Sequence, residues 1–495
     1  MKLPQLKDHL GGDKSGARVA AEMGVPLVVD LDGTLLRTDM LVESAFAFLR
    51  QTPFKVWELV TWLAAGKAKL KENLAASVAF DVTTLPYDKQ VIAFLEQQKA
   101  RGRVLILATA SHHIYADAIA GHLGLFDRVL ATRGNVNLSA RVKRDVLVAE
   151  FGERGFDYAG NSSDDLAVWA SARTAYLADP EFGVETAALR LGNVGKVITT
   201  PAPMSRIWIK QLRVHQWVKN SLIFVPLLAS HRIGEWHLLS EGVLAFLMFS
   251  LCASSVYILN DLLDLKDDRQ HSKKRLRPLA CGAVPIKAAM FAFPALLIAA
   301  FAGAAWLLPQ DFVLALAFYY ALTLAYSLVL KRIMTVDVVV LAMLYTVRIV
   351  AGAFAFDISL TFWMLAFSTF LFLSLAFVKR YAELRESRIQ GKIEQTPGRG
   401  YHPNDLEMIS SLGASSGYLS VLVLALFIQD QHTVAQYRHP QLIWFACPLL
   451  LYWITRAWMI VHRGWMHEDP VVFAMKDRNS LLVIVLFGAI FWLAA

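Results

Sequence analysis

The chain has 495 residues, of which 56% are hydrophobic, and a formal net charge of +8. This length is sufficient for two or more domains. The positively charged residues form no basic stripe in the first part of the chain, so we expect no nucleic acid as a partner. The topology of a membrane protein explains the net positive charge better.

The composition changes near Pro201, from that of a soluble protein to a series of long apolar runs. The runs have roughly 17 to 22 residues, which is the length needed to cross a hydrocarbon core of about 30 Å. We therefore predict a soluble domain followed by an all-α polytopic membrane bundle of about nine helices. The predicted spans are residues 216–231, 239–259, 286–307, 311–330, 335–356, 361–378, 412–429, 441–461 and 480–495.

The orientation in the membrane follows from charge. Residues 1–26 contain no apolar core typical of a signal peptide, so we expect the N-terminal domain in the cytoplasm. Lys and Arg cluster in alternate loops, whereas the intervening loops hold only Arg232 and Arg438. This bias predicts a multi-pass protein of the bacterial inner membrane with a cytoplasmic N-terminus. The oligomeric state stays open.

The soluble part begins with VPLVVDLDGTLL, an apolar strand that ends at Asp30 and Asp32 and turns at Gly33. Carboxylates at the carboxyl end of such a strand lie where open α/β sheets bind ligands. One carboxylate can attack phosphorus while the other donates a proton to the leaving oxygen, with Mg²⁺ screening the charges. The pattern therefore indicates phosphate chemistry.

Three further elements follow in order. The strand VLILATAS ends at Thr109, whose hydroxyl can hold a phosphate, and Lys143 is a candidate counter-charge. FDYAGNSSDDLAVW then reads as another strand followed by a glycine turn and Asp165. The order of these motifs resembles the haloacid dehalogenase (HAD) superfamily, which implies an α/β Rossmann-like fold.

The resemblance assigns roles to these residues. It implies that Asp30 is the nucleophile and Asp32 the acid/base, that Thr109 and Lys143 hold the phosphate, and that Asp165 joins the two aspartates at the magnesium site. The family usually has Asp where this chain has Asn161, which weakens Mg²⁺ binding and leaves two interpretations, hydrolysis of phosphate esters or binding alone. The expected boundaries are a tail at 1–25, a HAD-like domain at 26–198 with a helical cap at about 37–103, a linker at 199–210 and the membrane domain at 211–495.

The membrane part carries NDLLDLKDDRQHSKKRLRPLA directly after the second predicted span. Asp261, Asp264 and Asp268 recur at a spacing that places them on one face of a helix, with Asn260 one turn before Asp264. Neighbouring negative charges near lipid repel one another unless a cation lies between them. Carboxylate oxygens are ligands that suit Mg²⁺, which completes its coordination with the oxygens of a substrate diphosphate. A solvated loop explains the basic residues that follow, but not the phased carboxylates.

Basic residues complete the predicted site. Cations that follow or face the aspartates are candidates for phosphate binding: Lys219, Lys273, Lys274, Arg275 and Arg277. Arg348 lies near the middle of a predicted span, where an ionisable group marks either a functional site or a buried ion pair with another helix. Asp337 lies on the same predicted span, but three turns away.

The Asp motif after a second span resembles the UbiA superfamily of intramembrane prenyltransferases. The resemblance implies that Asp261, Asp264 and Asp268 act in catalysis and hold Mg²⁺ and a diphosphate. Most members have a second DxxxD motif, whereas this chain has Asp337 followed four residues later by Leu341. QWVKN, the NDLLDLKDD segment, VRIVAGA and KRYAEL are similar to the branch of decaprenyl-phosphate phosphoribosyltransferases. That branch implies phosphoribosyl pyrophosphate and a polyprenyl phosphate as substrates, in cell envelope biosynthesis.

Two other functions remain open on the sequence. The first alternative is a prenyltransferase that moves a polyprenyl group from its diphosphate to an aromatic or polar acceptor. The second alternative is a non-catalytic membrane scaffold. The product of phosphoribosyl transfer retains a 5-phosphate, so a HAD phosphatase on the same chain would supply its removal. This last hypothesis requires a functional Asp30 site.

Overall fold

A computed structural model describes residues 24–134, 136–199, 203–271, 273–391, 400–430, 437–466 and 469–495. The predicted N-terminal tail therefore lies almost entirely outside the described residues. The chain divides into two compact units. The first combines Met1–Leu212 with Ile258–Ala292, and the second combines Arg213–Tyr257 with Phe293–Ala495.

The first unit is built on a six-stranded parallel sheet with the strand order 3-2-1-4-5-6. Its register pairs Val28 with Ile106 on one side and with Tyr158 on the other. The parallel α/β fold predicted from the sequence is confirmed. The strands are β1 (Leu27–Val29), β2 (Leu105–His112), β3 (Arg128–Thr132), β4 (Asp157–Gly160), β5 (Ala175–Ala178) and β6 (Val194–Ile198).

Both faces of the sheet are covered, which explains why the strands are apolar without alternation. Leu27 and Val29 pack into one hydrophobic cluster, whereas Val28 points into the cluster on the opposite face. All three are fully buried. The surrounding helices are α1 (Met40–Gln51), α2 (Val56–Ala64), α3 (Lys67–Ser77), α4 (Lys89–Ala100), α5 (His113–Leu123), α6 (Ala140–Phe151), α7 (Leu166–Ser171), α8 (Val184–Leu189) and α9 (Met204–Gln211).

The second unit is helical, and its boundary with the first unit falls inside two helices, Trp236–Leu263 and Ile286–Leu307. Its core is formed by two hydrophobic clusters. The helices from residue 225 onwards are α10 (Val225–Ala229), α11 (Trp236–Leu263), α12 (Leu265–Gln270), α13 (Ile286–Leu307), α14 (Gln310–Leu328), α15 (Val336–Ala355), α16 (Phe362–Ile389), α17 (Leu406–Gln429), α18 (Ala446–Arg463), α19 (Pro470–Ala474) and α20 (Arg478–Ala494).

Seven helices in the described part of the chain are long and apolar enough to cross a membrane, so nine spans are not confirmed. The first predicted span instead forms a 3₁₀ helix, Val214–Phe224, followed by the short α10. Pro226 stands at the start of α10 and cannot donate the backbone hydrogen bond of a continuous helix. The last predicted span, α20, has 17 residues and is a shorter apolar helix.

Small residues allow close packing between helices of the second unit. Gly413 and Gly417 lie one turn apart on α17, and a Cβ atom at either position would overlap side chains of neighbouring helices. The hydroxyl of Ser374 on α16 donates to the carbonyl oxygen of Gly413 at 2.7 Å. This arrangement of small and hydroxyl residues is typical of helix association in lipid.

Candidate functional site

Asp30 lies directly after β1, at the carboxyl end of the sheet. Its carboxylate is buried and accepts a hydrogen bond from Nζ of Lys143 at 2.8 Å. Lys143 stands in the first turn of α6. Burial raises the pKa of Asp30 to about 6, although the ammonium of Lys143 acts in the opposite direction. The fold therefore joins the predicted nucleophile and the predicted phosphate-binding lysine, which are far apart in sequence.

Asp165 reaches the same site through Tyr158. The hydroxyl of Tyr158 donates to Oδ1 of Asp165 at 2.8 Å and accepts from Nζ of Lys143 at 2.8 Å. The Lys143 nitrogen lies 4.0 Å from the Asp165 carboxylate. The other Asp165 oxygen accepts from the backbone nitrogens of Asn161 and Ser162, each at 2.9 Å. Lys143 is thus a cation between two buried carboxylates.

Asp32 is held in a separate set of hydrogen bonds. Its Oδ1 accepts from the backbone nitrogen of Met40 at 2.8 Å, and its Oδ2 accepts from the hydroxyl of Ser111 at 2.6 Å. Thr109 lies beside it, with its hydroxyl 3.4 Å from Oδ2. Burial raises the pKa of Asp32 to about 7, and the nearby charge of Asp39 adds to this effect. Asp32 therefore holds its proton to a higher pH than an ordinary carboxyl group does, which suits an acid that protonates a leaving group.

Asn161 occupies the strand end beside β1. Its side chain packs against Gly33, where a Cβ atom would overlap the amide group. Gly33 also has a φ of +77°, so the turn after Asp32 requires glycine for two reasons. The hydroxyl of Thr34 lies 3.4 Å from the Asn161 carbonyl oxygen. The amide thus stands at the strand end where the family usually has a carboxylate.

Three residues at this site were missed in the sequence: Ser111, Tyr158 and Lys71. Ser111 lies on the strand that carries Thr109, and Tyr158 lies on the strand directly before Asn161, so their proximity to strand ends was an available signal. Lys71 comes from α3, and its ammonium donates to the Ala110 carbonyl and to Asn137, both at 2.7 Å. Burial lowers the pKa of Lys71. No sequence pattern relates Lys71 to the strands.

The Asp-rich segment forms a helix that is interrupted at Asp264. Helix α11 ends at Leu263 and α12 begins at Leu265, although the backbone nitrogen of Asp268 still donates to the Asp264 carbonyl at 2.8 Å. Asp261 and Asp268 converge on one guanidinium, with Arg277 Nη1 at 3.2 Å and 2.5 Å from their carboxylates. Asp264 instead contacts Arg50 of α1, at 3.0 Å. The three phased carboxylates thus hold two different arginines.

The remaining predicted residues of this segment differ in exposure. Asp261 also accepts from the Gln211 amide at 2.9 Å and is buried, as is Asp268. Burial raises the pKa of Asp268, although Arg277 acts in the opposite direction. Asn260 and Arg277 are half-buried, whereas the preceding basic residues are exposed to solvent: Lys273, Lys274 and Arg275.

In the second unit, Lys219 is part of a buried cluster around Asp469. The Lys219 ammonium lies 2.9 Å from the Asp469 carboxylate, which also accepts from the Tyr345 hydroxyl at 2.8 Å and from Lys379 at 3.3 Å. Lys219 additionally donates to Gln216 at 3.1 Å. Asp469 was missed in the sequence, because it follows a polar connection after the span that ends at Arg463.

Arg348 is buried on α15, with aromatic rings as its neighbours. Its guanidinium lies 4.9 Å from the ring centre of Tyr319 and 5.3 Å from that of Phe249. Its Nε donates to the Asn220 carbonyl oxygen at 2.9 Å. Asp337, the acidic residue on the same helix, contacts Arg380 and Tyr326 instead. Within the described ranges, no carboxylate forms a salt bridge with Arg348. The alternative of a buried ion pair between Arg348 and another helix is therefore not observed among these residues.

The carboxylates fit Mg²⁺ only if a substrate phosphate completes its coordination. No group of three or more His, Cys, Asp or Glu side chains in the part of the chain that the structure describes could hold a metal ion. Mg²⁺ needs only one or two carboxylates when phosphate and water supply the remaining ligands. Asp30 and Asp165 around Lys143, and Asp261 and Asp268 around Arg277, are two such pairs.

A parallel α/β domain with carboxylates at its strand ends, joined to a bundle of apolar helices with an Asp-rich segment, is typical of a membrane enzyme that carries a hydrolase-like domain. Residues 27–169 match the haloacid dehalogenase-like hydrolases, and residues 221–481 match the UbiA prenyltransferase family. The chain belongs to the UbiA prenyltransferase family and carries a HAD-like domain at its N-terminal side. It is an integral multi-pass membrane protein of the prenyltransferase type.

Two relatives cover different shares of the chain. The uncharacterized protein y4nM of Sinorhizobium fredii is 35% identical over 475 residues, which is 95% of this chain and 91% of that protein. Decaprenyl-phosphate phosphoribosyltransferase of Mycobacterium tuberculosis is 31% identical over 303 residues, which is 60% of this chain and 95% of the relative. The combination of both domains thus recurs in y4nM, since the match covers nearly the whole length of both chains.

Among solved structures, a UbiA homolog from Archaeoglobus fulgidus bound to DMAPP and Mg²⁺ is 17% identical. The similarity covers 58% of this chain and 97% of that chain, with a TM-score of 0.43.

Proposed function

We propose that the membrane domain transfers a phosphoribosyl group from phosphoribosyl pyrophosphate to a polyprenyl phosphate. The observation that carries this proposal is the Asp-rich segment, where Asp261 and Asp268 converge on Arg277 and Asp264 contacts Arg50. Paired carboxylates can bind Mg²⁺, and the neighbouring arginines can bind the oxygens of a diphosphate. The 31% identity to a decaprenyl-phosphate phosphoribosyltransferase over most of that relative supports phosphoribosyl pyrophosphate as the source of the diphosphate.

The proposed reaction breaks the bond between the ribosyl C1 atom and the pyrophosphate oxygen. Mg²⁺ held by the pair Asp261 and Asp268, with Asp264 reaching it only by a change of side-chain position, would neutralise the diphosphate, and Arg277 would bind its oxygens. A phosphate oxygen of the lipid then attacks C1, which has oxocarbenium character as pyrophosphate leaves. Asn260, one turn before Asp264, would contact the donor. The exposed Lys273, Lys274 and Arg275 would favour the approach of a polyanion.

The buried cations of the second unit are proposed to contact the lipid phosphate or the donor. Lys219 and Lys379 together carry two positive charges against the single carboxylate of Asp469. This excess of positive charge supports a phosphate-binding role for Lys219. Arg348 contacts amide, carbonyl and hydroxyl oxygens and aromatic rings, and it forms no salt bridge with a carboxylate among the described residues. Its uncompensated positive charge likewise supports a role in anion binding. The positive-inside bias supports a cytoplasmic location for the HAD-like domain.

The HAD-like domain is proposed to remove the 5-phosphate from the lipid-linked product. Asp30 would attack phosphorus and form an aspartyl phosphate, while Asp32 donates its proton to the leaving ribosyl oxygen. Water then hydrolyses the acyl phosphate and releases inorganic phosphate. Thr109 and Lys143 would bind the phosphate oxygens, and Asp165 would share Mg²⁺ with Asp30. The contacts of Thr109 with Asp32, and of Lys143 with Asp30 and Asp165, support these roles.

A two-arm assay tests the transferase. Membranes containing the full chain are incubated with labelled phosphoribosyl pyrophosphate and polyprenyl phosphate, or with labelled prenyl diphosphates and aromatic acceptors. We expect labelled lipid only in the first arm, its loss in Asp268→Asn, and its retention in Asp267→Asn. Asp267 is adjacent but exposed, which makes it a matched control. Product in the second arm alone would establish the prenyltransferase alternative, and no product in either arm would favour a scaffold.

The same assay separates the two domains. We expect Asp30→Asn to accumulate phosphorylated ribosyl lipid, whereas the unchanged protein yields the dephosphorylated form. Dephosphorylated lipid at the unchanged rate in Asp30→Asn would contradict the phosphatase role while leaving the transferase intact.

A further inference from the structure

Helix α1 of the HAD-like domain runs beside the Asp-rich segment, and both belong to the first compact unit. Glu43 on α1 forms a bidentate ion pair with Arg269, at 2.8 Å and 2.5 Å. Both side chains are buried, with exposed fractions of 2% and 7%. Arg269 also donates to the carbonyl oxygen of Ala280 at 2.9 Å. A buried carboxylate requires such a partner, so the packing of α1 depends on the Asp-rich segment.

A second contact between the HAD-like domain and the Asp-rich segment brings the backbone of Gly282 against Arg37. Gly282 has a φ of +73°, and a Cβ atom there would lie 2.5 Å from Cβ of Arg37 and 2.8 Å from its carbonyl oxygen. Nζ of Lys266 donates to the carbonyl oxygen of Ala79 at 3.0 Å. The segment from Ile258 to Ala292 therefore packs closely against the HAD-like domain at several points.

Arg50 stands two helical turns after Glu43 on α1, so it lies on the same face. Its Nε is 3.0 Å from Oδ1 of Asp264, and the two side chains are 14% and 23% exposed. The HAD-like domain thus contributes a guanidinium to the central carboxylate of the Asp-rich motif. The ion pair of Glu43 with Arg269 anchors the same helix to this segment, which helps to hold Arg50 beside Asp264.

We propose that Arg50 is a diphosphate-binding residue of the transferase site, supplied by the HAD-like domain. Without ligand it balances the charge of Asp264. With Mg²⁺ and a diphosphate bound, Asp264 would help to hold the metal. The planar guanidinium of Arg50 would then bind diphosphate oxygens, because its fork of donors matches phosphate geometry. The HAD-like domain is then part of the transferase site as well as the proposed enzyme for the following step. This inference rests on the proposed Mg²⁺-diphosphate site.

The test measures binding of inorganic pyrophosphate with Mg²⁺ to the purified full chain by isothermal titration calorimetry. We expect Arg50→Ala to weaken binding by about tenfold or more, with partial recovery in Arg50→Lys and further recovery when guanidinium is added to Arg50→Ala. Arg101→Ala is the control, because Arg101 is an exposed arginine of the same domain. The Asp264→Asn variant shows how much of the measured pyrophosphate binding depends on the Asp-rich motif.

The outcomes are distinct. Loss of binding in Asp264→Asn together with unchanged or tighter binding in Arg50→Ala overturns the role of Arg50 but leaves the transferase site in place. Absence of pyrophosphate binding in the unchanged protein, or binding that Asp264→Asn does not alter, overturns the proposed site and the role of Arg50 together.

A second pair of variants tests the packing that positions Arg50. Gly282→Ala introduces a Cβ atom against the backbone of Arg37, so it is expected to weaken pyrophosphate binding in the same direction as Arg50→Ala. Gly102→Ala is matched to it, since Gly102 also has a positive φ, of +76°, but has open space around it. Equal binding by the two glycine variants would contradict the requirement for close packing.

Discussion

The ammonium of Lys219 lies 2.9 Å from the carboxylate of Asp469, and both side chains are buried in the second unit. Lys379 and the hydroxyl of Tyr345 contact the same carboxylate. Burial would raise the pKa of Asp469, but Lys219 and Lys379 hold it well below its usual range. Asp469 is therefore ionised at all physiological pH values and balances part of the charge of two lysines.

Asp469→Asn is expected to reduce the free energy of unfolding by about 3–5 kcal/mol, because removing one partner of a buried ion pair leaves an uncompensated charge. The change is measured as a lower midpoint of thermal unfolding of the purified protein in detergent. Asp357→Asn is the control, since Asp357 is exposed and asparagine tolerates its positive φ. Equal midpoints in the two variants would show that Lys219 and Lys379 are stabilised without Asp469.

Lys143→Met is expected to reduce phosphate release by the HAD-like domain by about 100-fold or more, because it removes the cation that faces Asp30 and Asp165. Phosphate release from sugar phosphates is measured with Mg²⁺ present. Lys89→Met provides a control at an exposed position of the same domain. If Lys143→Met retained the rate of Lys89→Met, Lys143 would not contact the reacting phosphate.

Asn161→Asp is expected to lower the Mg²⁺ concentration needed for half-maximal phosphate release by about tenfold. The substitution retains the shape of the side chain against Gly33 and adds a carboxylate to a residue whose backbone nitrogen already contacts Asp165. A titration of Mg²⁺ in the phosphate-release assay measures the effect. An unchanged Mg²⁺ requirement would place the side chain of residue 161 outside the coordination of the metal.

The ion pairs of Asp157 predict a pH dependence of stability. Burial acts to raise the pKa of Asp157, but hydrogen bonds from Arg173 and Arg103 hold it below its usual value. Since this pKa is depressed in the folded state, the stabilisation is complete above the unfolded value of about 3.9. It is lost as pH falls through the lower, folded-state pKa.

The measurement compares thermal unfolding of the unchanged protein and Asp157→Asn across acidic pH. The unchanged protein is expected to unfold at a higher temperature at pH 7, and the difference is expected to narrow below about pH 4. Parallel curves over the whole range would contradict a contribution from the ionised form of Asp157.

Much of the HAD-like site was predictable because of one geometric rule. Asp30, Thr109 and Asn161 each stand at or near the carboxyl end of a strand, and parallel strands bring these ends to one edge of a sheet. The apolar runs of the membrane part were equally readable, because crossing lipid requires about 20 apolar residues in one helix. The first predicted span was less regular, and Pro226 divides that region into short helices.

The spacing of the Asp-rich segment predicted which carboxylates share a helix face but not their partners. Asp261 and Asp268 meet Arg277, whereas Asp264 meets an arginine from α1 of the other domain. Periodicity describes a single helix, and it carries no information about which distant segment packs against that helix.

The sequence by itself determined the two-domain composition, the α/β class of the first part, the apolar helices of the second and the residue types at both candidate sites. These features depend on local spacing, on the solubility of each segment and on strand-end positions. Only the tertiary structure decided that Lys219 meets Asp469, that Arg348 lies among aromatic rings and that Arg50 meets Asp264. Each of these contacts joins segments that are distant in sequence. A buried charge requires a compensating group, but the sequence does not tell which residue provides it.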